Sequence, residues 1–309
     1  MTMTINFLLI ILGVAMVLMG ADRLTDGASA LARRMGVPEF IVGLTVVAAG
    51  TSAPELFVSM VSALKGTPDM AVGNVVGSNI MNSMLIVGAA AMTAPITISK
   101  RTVHKDLPFT VLASLLMLVL TVNGGLSRID GILMLLVFAL FMFVSIRSAE
   151  KRYETYDERP IPIWKNLFFV VGGLALLLVG SNIFVDSASD VAYAFGISEG
   201  VVGLTVVAGG TSLPELATSV VAARKGQSAI AIGNVIGSNV FNILLILGLT
   251  ATITPLEIEG ITTIDMAVML LSVSLVWLFS CTRFKVERWE GATLVVGYLA
   301  YVAWLIASL

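Results

Sequence analysis

Residues 43–95 return at 203–255, displaced by 160 positions, with about 30 identities in 53 and no gap. Weaker matches extend upstream, with Gly20 on Gly180, Asp26 on Asp186 and Gly36 on Gly196. A chain with this repeat must build two similar halves. What they are built in follows from the charge content. Of 309 residues, 57% are hydrophobic and 12% charged, and the mean hydropathy is +0.98. A soluble domain carries roughly 25% charged residues. The 18 Lys+Arg and 20 Asp+Glu are too few to solvate the surface of a soluble protein this long, so the chain reads as an integral membrane protein.

A membrane helix needs ~20 mostly apolar residues. Punctuation at charges, Pro and Gly predicts ten spans, at about 4–32, 39–64, 70–93, 105–123, 128–147, 162–194, 199–223, 229–252, 262–281 and 289–308. The first and sixth carry Asp near their ends and are expected to be long and tilted. The apolar run Ile5–Gly20 lacks a preceding Lys or Arg, so it reads as a retained span rather than a signal peptide. Five spans per half is an odd number, so the second half enters from the opposite side. That is an inverted repeat, an architecture of secondary transporters. The expected organisation is all-α: a first five-helix repeat at 1–147, a cytoplasmic linker at 148–160 and a second repeat at 161–309.

Lys and Arg favour cytoplasmic loops. With the N-terminus outside, the inner loops hold Arg33, Arg34, Lys100, Arg101, Lys105, Arg147, Lys151, Arg152, Arg159, Lys165, Arg224, Lys225, Arg283, Lys285 and Arg288. The outer loops hold only Lys65 and Arg128, and Arg23 lies in the first span. Ten spans with both termini outside fit this alternation, in a bacterial or archaeal plasma membrane.

Several functions are excluded. A net charge of −2 offers no basic field for nucleic acid. One cysteine, Cys281, and one histidine, His104, leave no disulfide framework, no Cys-based zinc site and no histidine cluster. There is no phosphate loop of the G-x-x-x-x-G-K-[ST] kind. Nothing points to covalent catalysis, a resident cofactor or an obligate protein partner.

The repeated block reads GLTVVAAGTSAPELFVSMVSALKG then AVGNVVGSNIMNSMLIVG in the first half. In the second it reads GLTVVAGGTSLPELATSVVAARKG then AIGNVIGSNVFNILLILG. Glu55 and Glu215 fall at mid-span, where a charge costs ~2.5–3.5 kcal/mol on insertion scales. Such a residue needs a partner, a water-filled cavity or a role. Pro54 and Pro214 precede them, and proline removes an N–H and disfavours helix at the residue before it. A break is therefore predicted in the second and seventh spans, freeing main-chain carbonyls, those of Ala48 and Ala208. The neighbouring spans supply Asn74, Ser78, Asn79 and Asn82, with Asn234, Ser238, Asn239 and Asn242 as their repeats. Ser78 and Asn82 share a helix face, as do Ser238 and Asn242. Folding the halves together about a pseudo-two-fold axis gathers carboxylates, hydroxyls, amides and carbonyls at mid-membrane. An all-oxygen set suits hard cations. Asn74, Asn79, Asn234 and Asn239 serve equally well as caps or bridges between helices. Asp26 and Asp186 suit a solvated or gating role, and His104 a surface position.

The paired GTS-x-PE and GN-V-x-GSN-x-x-N strings resemble the two α-repeats of the calcium/cation antiporter superfamily, and among its members the prokaryotic sodium/calcium exchangers. The resemblance covers nearly the whole chain. It implies that Glu55 and Glu215 are central ligands shared by Ca²⁺ and the coupling ion. Thr51 and Thr211 would offer main-chain oxygens to Ca²⁺. Ser52, Ser212, Ser78 and Ser238, with the carbonyls of Ala48 and Ala208, would form flanking Na⁺ sites, and Asn82 and Asn242 would complete the centre. The first and sixth spans would slide across spans two, three, seven and eight. Some members have Asp where this chain has Asn242, and its absence argues against K⁺ dependence. A cation/proton antiporter on the same scaffold is the alternative; a K⁺-dependent exchanger and a cation channel are further ones.

Overall fold

The computed structural model describes residues 3–147, 162–196 and 208–307. The expected linker at 148–160, with Lys151, Arg152 and Arg159, lies outside them, as does the start of the seventh expected span.

Twelve helices and four two-residue strands make up the described residues. The first half holds α1 (Met3–Met35), α2 (Glu39–Thr51), α3 (Ala53–Leu64), α4 (Pro68–Thr93), α5 (Thr102–Asn123) and α6 (Arg128–Arg147). The second holds α7 (Ile163–Ala194), α8 (Ala208–Thr211), α9 (Leu213–Arg224), α10 (Ser228–Ile253), α11 (Thr263–Arg283) and α12 (Arg288–Ala307). Among the described residues eight helices are long and apolar enough to cross a membrane. The pair α2–α3, bent by 46° at Ser52, makes a ninth when the two helices are counted as one span. The tenth expected span is represented by α8 and α9, which repeat that broken pair.

The strands report the symmetry directly. β1 (Ile96–Thr97) pairs antiparallel with β4 (Lys285–Val286), and β2 (Gly125–Leu126) with β3 (Leu256–Glu257). Ile96 faces Val286 and Leu126 faces Leu256. Adding 160 to one pair and subtracting it from its partner produces the other, so both ribbons join one half to the other about a two-fold. Two strands that pair lie on one side of the membrane, so an even number of crossings separates them. Between β1 and β4 run five long helices (α5, α6, α7, α10 and α11) and the pair α8–α9.

Burial sorts the helices into two layers. Along their apolar stretches α4 and α10 are 78% and 89% buried, whereas the other six long helices reach at most 33%. The central pair carries the Gly- and Asn-rich strings. The peripheral helices present Leu, Ile, Phe and Trp outward, Leu8, Leu136 and Trp289 among them, as a hydrocarbon surround requires. With 33 and 32 residues, α1 and α7 are each about 50 Å long at 1.5 Å per residue, well beyond the ~30 Å hydrocarbon core. They cross through glycines. A Cβ on Gly13 would sit 2.8 Å from the Gly180 carbonyl oxygen, and one on Gly20 2.7 Å from that of Gly173. These contacts are again related by the repeat.

Candidate functional site

The helix break sits where proline puts it. Ser52 (φ −82°, ψ 7°) and Ser212 (φ −92°, ψ 6°) separate α2 from α3 and α8 from α9. Both lie in the sparsely populated bridge region. Pro54 and Pro214 occupy the first turn of α3 and α9, where a missing N–H costs nothing.

One expectation needs correcting. The Ala48 carbonyl is not freed by the break, because it accepts the Ser52 N–H at 2.9 Å. The carbonyl that a proline leaves without its helical donor lies four residues before it, at Gly50 and Gly210. Gly210 shows the consequence, accepting the Ser181 hydroxyl of α7 at 2.6 Å. Sequence reasoning passed over Ser181 because its repeat mate is Ala21. A carbonyl oxygen has two lone pairs, so Ala48 keeps one. Ala208 is the first residue of α8.

At the two breaks each half supplies hydroxyls to the other half's carboxylate. The Ser52 hydroxyl donates to Glu215 Oε1 at 3.1 Å, and the Ser212 hydroxyl to Glu55 Oε1 at 3.1 Å. Ser212 Oγ also lies 3.3 Å from Ser78 Oγ, and Ser238 Oγ lies 3.5 Å from Glu215 Oε1. Glu55, Glu215, Ser52, Ser212, Ser78, Ser238 and Thr51 are all buried, and Thr211 is half-buried. Among the described residues no Lys or Arg forms an ion pair with either glutamate. Two carboxylates at this depth without a cationic side chain call for a cation from outside the chain.

Asn82 and Asn242 lie on π-helical turns. Asn82 opens Asn82–Ile86 and Asn242 lies in Phe241–Leu247. An i→i+5 turn inserts one residue and rotates the face that follows, and such turns recur at functional sites. Glu55 Oε2, Glu215 Oε2, Asn82 Oδ1 and both ends of the Asn242 amide are buried without a partner among the described residues. A buried acceptor left unpaired costs about 1–3 kcal/mol, so these five atoms are open to a ligand. All but one are oxygens, the donor type that hard cations take. The described residues contain no group of three or more His, Cys, Asp or Glu side chains placed to hold a metal. The oxygen set is therefore two carboxylates plus neutral groups.

Around this centre the other asparagines act as braces. The Asn74 amide donates to the Glu55 carbonyl (3.2 Å) and to Ser59 Oγ (3.0 Å), and Asn234 likewise to the Glu215 carbonyl (3.4 Å) and Ser219 Oγ (3.0 Å). Asn239 donates to Ser83 at 2.9 Å, and Asn79 to the Val75 carbonyl at 2.8 Å. Ser59 and Ser219 were legible only as a repeated serine. Away from the site, Asp26 is half-buried and pairs with Lys225, while Asp186, His104 and Cys281 are exposed.

Comparison with known proteins gives a consistent result. The family described as "Sodium/calcium exchanger protein" matches the chain twice, at residues 5–147 and 165–307, one match per half. The sodium/calcium exchanger MaX1 of Methanosarcina acetivorans is 34% identical over 97% of this chain and 98% of its own. The inner membrane protein YrbG of Escherichia coli is 40% identical over 96% and 95%. The solved structure of the sodium-calcium exchanger NCX_Mj, soaked with zero Na⁺ and Ca²⁺, superposes with a TM-score of 0.88. It is 32% identical and covers 98% of this chain and 100% of that one.

Proposed function

Because the chain belongs to the sodium/calcium exchanger family, we propose that it is a secondary antiporter exchanging Ca²⁺ for Na⁺ by alternating access. The observation that carries this is the set of buried, unpartnered oxygens of Glu55, Glu215, Asn82 and Asn242, with each glutamate following a helix break. Glu55 and Glu215 hold whichever ion is present. Ca²⁺ takes both carboxylates with main-chain oxygens of Thr51 and Thr211 and the amides of Asn82 and Asn242. Na⁺ takes the same carboxylates from the flanks, with Ser52, Ser212, Ser78, Ser238 and the carbonyls of Ala48 and Ala208. Since the sets share two glutamates, one ion leaves before the other binds, and exchange follows without covalent chemistry.

Residues 1–147 and 161–309 act as two inverted halves joined by a cytoplasmic linker at 148–160, with both termini outside. The tally of 15 basic residues on one side against two on the other supports that orientation. The long α1 and α7, crossing through glycines, move as a pair over α2–α4 and α8–α10 and expose the centre to each side in turn.

The test is ⁴⁵Ca²⁺ uptake into proteoliposomes with Na⁺, H⁺ and K⁺ gradients imposed separately. Uptake driven by outward Na⁺ is expected. Uptake driven by a pH gradient in the absence of Na⁺ would replace this reading with a cation/proton antiporter.

A further inference from the structure

Asn234 is where the two halves share one amide. It is fully buried on α10, and α10 packs backbone to backbone on α2. A Cβ on Gly43 would lie 2.8 Å from the Ile230 carbonyl oxygen, and one on Gly233 2.6 Å from that of Phe40. This approach sets the Asn234 side chain between Thr51 of the first half and Glu215 of the second.

The hydrogen bonds fix which way the amide points. One end lies 3.4 Å from the Glu215 carbonyl oxygen. A carbonyl only accepts, so that end is the NH₂ group. The other end is then the oxygen, and it lies 3.2 Å from Thr51 Oγ1. An amide oxygen only accepts, so Thr51 is the donor in this pair, and Asn234 is the nearer of the two acceptors of its single hydroxyl proton.

That proton has a second acceptor within reach. The Ala48 carbonyl oxygen lies 3.4 Å from Thr51 Oγ1 and already takes the Ser52 N–H. Its one remaining lone pair can hold either the Thr51 proton or a cation. We propose that Asn234 is a positioning residue for Na⁺ binding: it holds the Thr51 proton away and keeps the last lone pair of Ala48 open. This rests on the reading of Ala48 as part of a flanking Na⁺ site. Asn74 anchors the Glu55 carbonyl and Ser59 in the same way.

The test uses purified full-length protein and its thermal stabilisation by Na⁺ and, separately, by Ca²⁺. It reads binding whether or not the protein exchanges ions. Asn234→Ala returns the Thr51 proton to Ala48. The half-saturating Na⁺ concentration is expected to rise about five- to tenfold, the scale of one hydrogen bond, and that for Ca²⁺ less than about twofold. Thr51→Val removes the proton itself, so adding Asn234→Ala to Thr51→Val is expected to bring no further loss of Na⁺ binding. Equal losses for Na⁺ and Ca²⁺, or the same fold-loss in both Thr51 backgrounds, overturn the proposal and leave Asn234 a helix brace. Asn234→Ser carries the same comparisons if Asn234→Ala does not fold. Wild-type protein that binds Na⁺ but shows no Na⁺-driven ⁴⁵Ca²⁺ uptake overturns the antiport reading alone; no Na⁺ binding at all overturns both.

Discussion

The Ser52 hydroxyl donates to Glu215 at 3.1 Å, and its repeat mate Ser212 donates to Glu55 at the same distance. Each carboxylate thus takes a hydroxyl from the half it does not belong to. A hydrogen bond to a charged group contributes about 1.5–3 kcal/mol. Ser52→Ala and Ser212→Ala are each expected to raise the half-saturating Ca²⁺ of uptake roughly 10- to 100-fold. The two factors should agree within about threefold. A large loss for one serine with none for the other would show that the carboxylates are not equivalent.

Removing one charge from the centre should do more. Glu55→Gln and Glu215→Gln keep the shape of the side chain but leave a single carboxylate against a divalent ion. Na⁺-dependent ⁴⁵Ca²⁺ uptake is expected to fall at least about 100-fold in either variant. Retained uptake would remove the glutamates from the mechanism.

Ligand binding should appear as stability. An ion that binds only the folded protein stabilises it by about 2.7 kcal/mol at 100 times its dissociation constant. Purified protein is therefore expected to melt at higher temperature in Ca²⁺, with Na⁺ competing the effect away. A Glu55→Gln/Glu215→Gln double variant should show no such shift in a fluorescence melt.

Neighbouring glycines of α7 separate packing from propensity. A Cβ on Gly173 would meet the Leu24 N–H nitrogen at 2.7 Å and the Gly20 carbonyl oxygen at 2.8 Å, both backbone, while among the described residues one on Gly172 meets nothing within 4 Å. Gly173→Ala is expected to destabilise by about 1–3 kcal/mol. Gly172→Ala should be neutral or stabilising by up to about 1 kcal/mol. Melting temperatures of the two single variants decide it.

Lys225 ties α1 to the end of α9, its ammonium 2.7 Å from carboxylate oxygens of both Asp22 and Asp26. The repeat-related Lys65 and Asp186 make no such pair among the described residues. In a Cys281→Ser background, cysteines at 26 and 225 joined by a short reducible cross-linker are expected to stop exchange, and reduction to restore it. Exchange that continues through the cross-link would mean that α1 does not move relative to α9.

Much of this site was legible in the sequence because duplication prints each residue twice. A lone Glu215 after a proline is ambiguous, whereas Glu55 and Glu215 in matching strings specify a pair of buried carboxylates and a helix break. Span ends were readable to within a few residues from charge and proline, 128–147 falling on Arg128–Arg147. What the sequence hid was direction. Strings that repeat along the chain do not say that Ser52 reaches across to Glu215 rather than to Glu55. Nor do they show that Gly210 recruits Ser181, a residue the first half lacks. The Ala48 carbonyl was misjudged because helix hydrogen bonding persists up to Ser52 and fails only at the residue with no N–H.

The two ribbons have a consequence for how the chain comes to be folded. β1 and β2 belong to the first half, yet their partners are Lys285–Val286 and Leu256–Glu257. As the chain is synthesised and inserted, the first half waits with two unpaired strand edges until more than a hundred further residues have emerged. Pairings so distant in sequence are slow to close. The last steps of folding should therefore also be the ones that bring Ser212 to Glu55, so that an ion site exists only once the whole protein does.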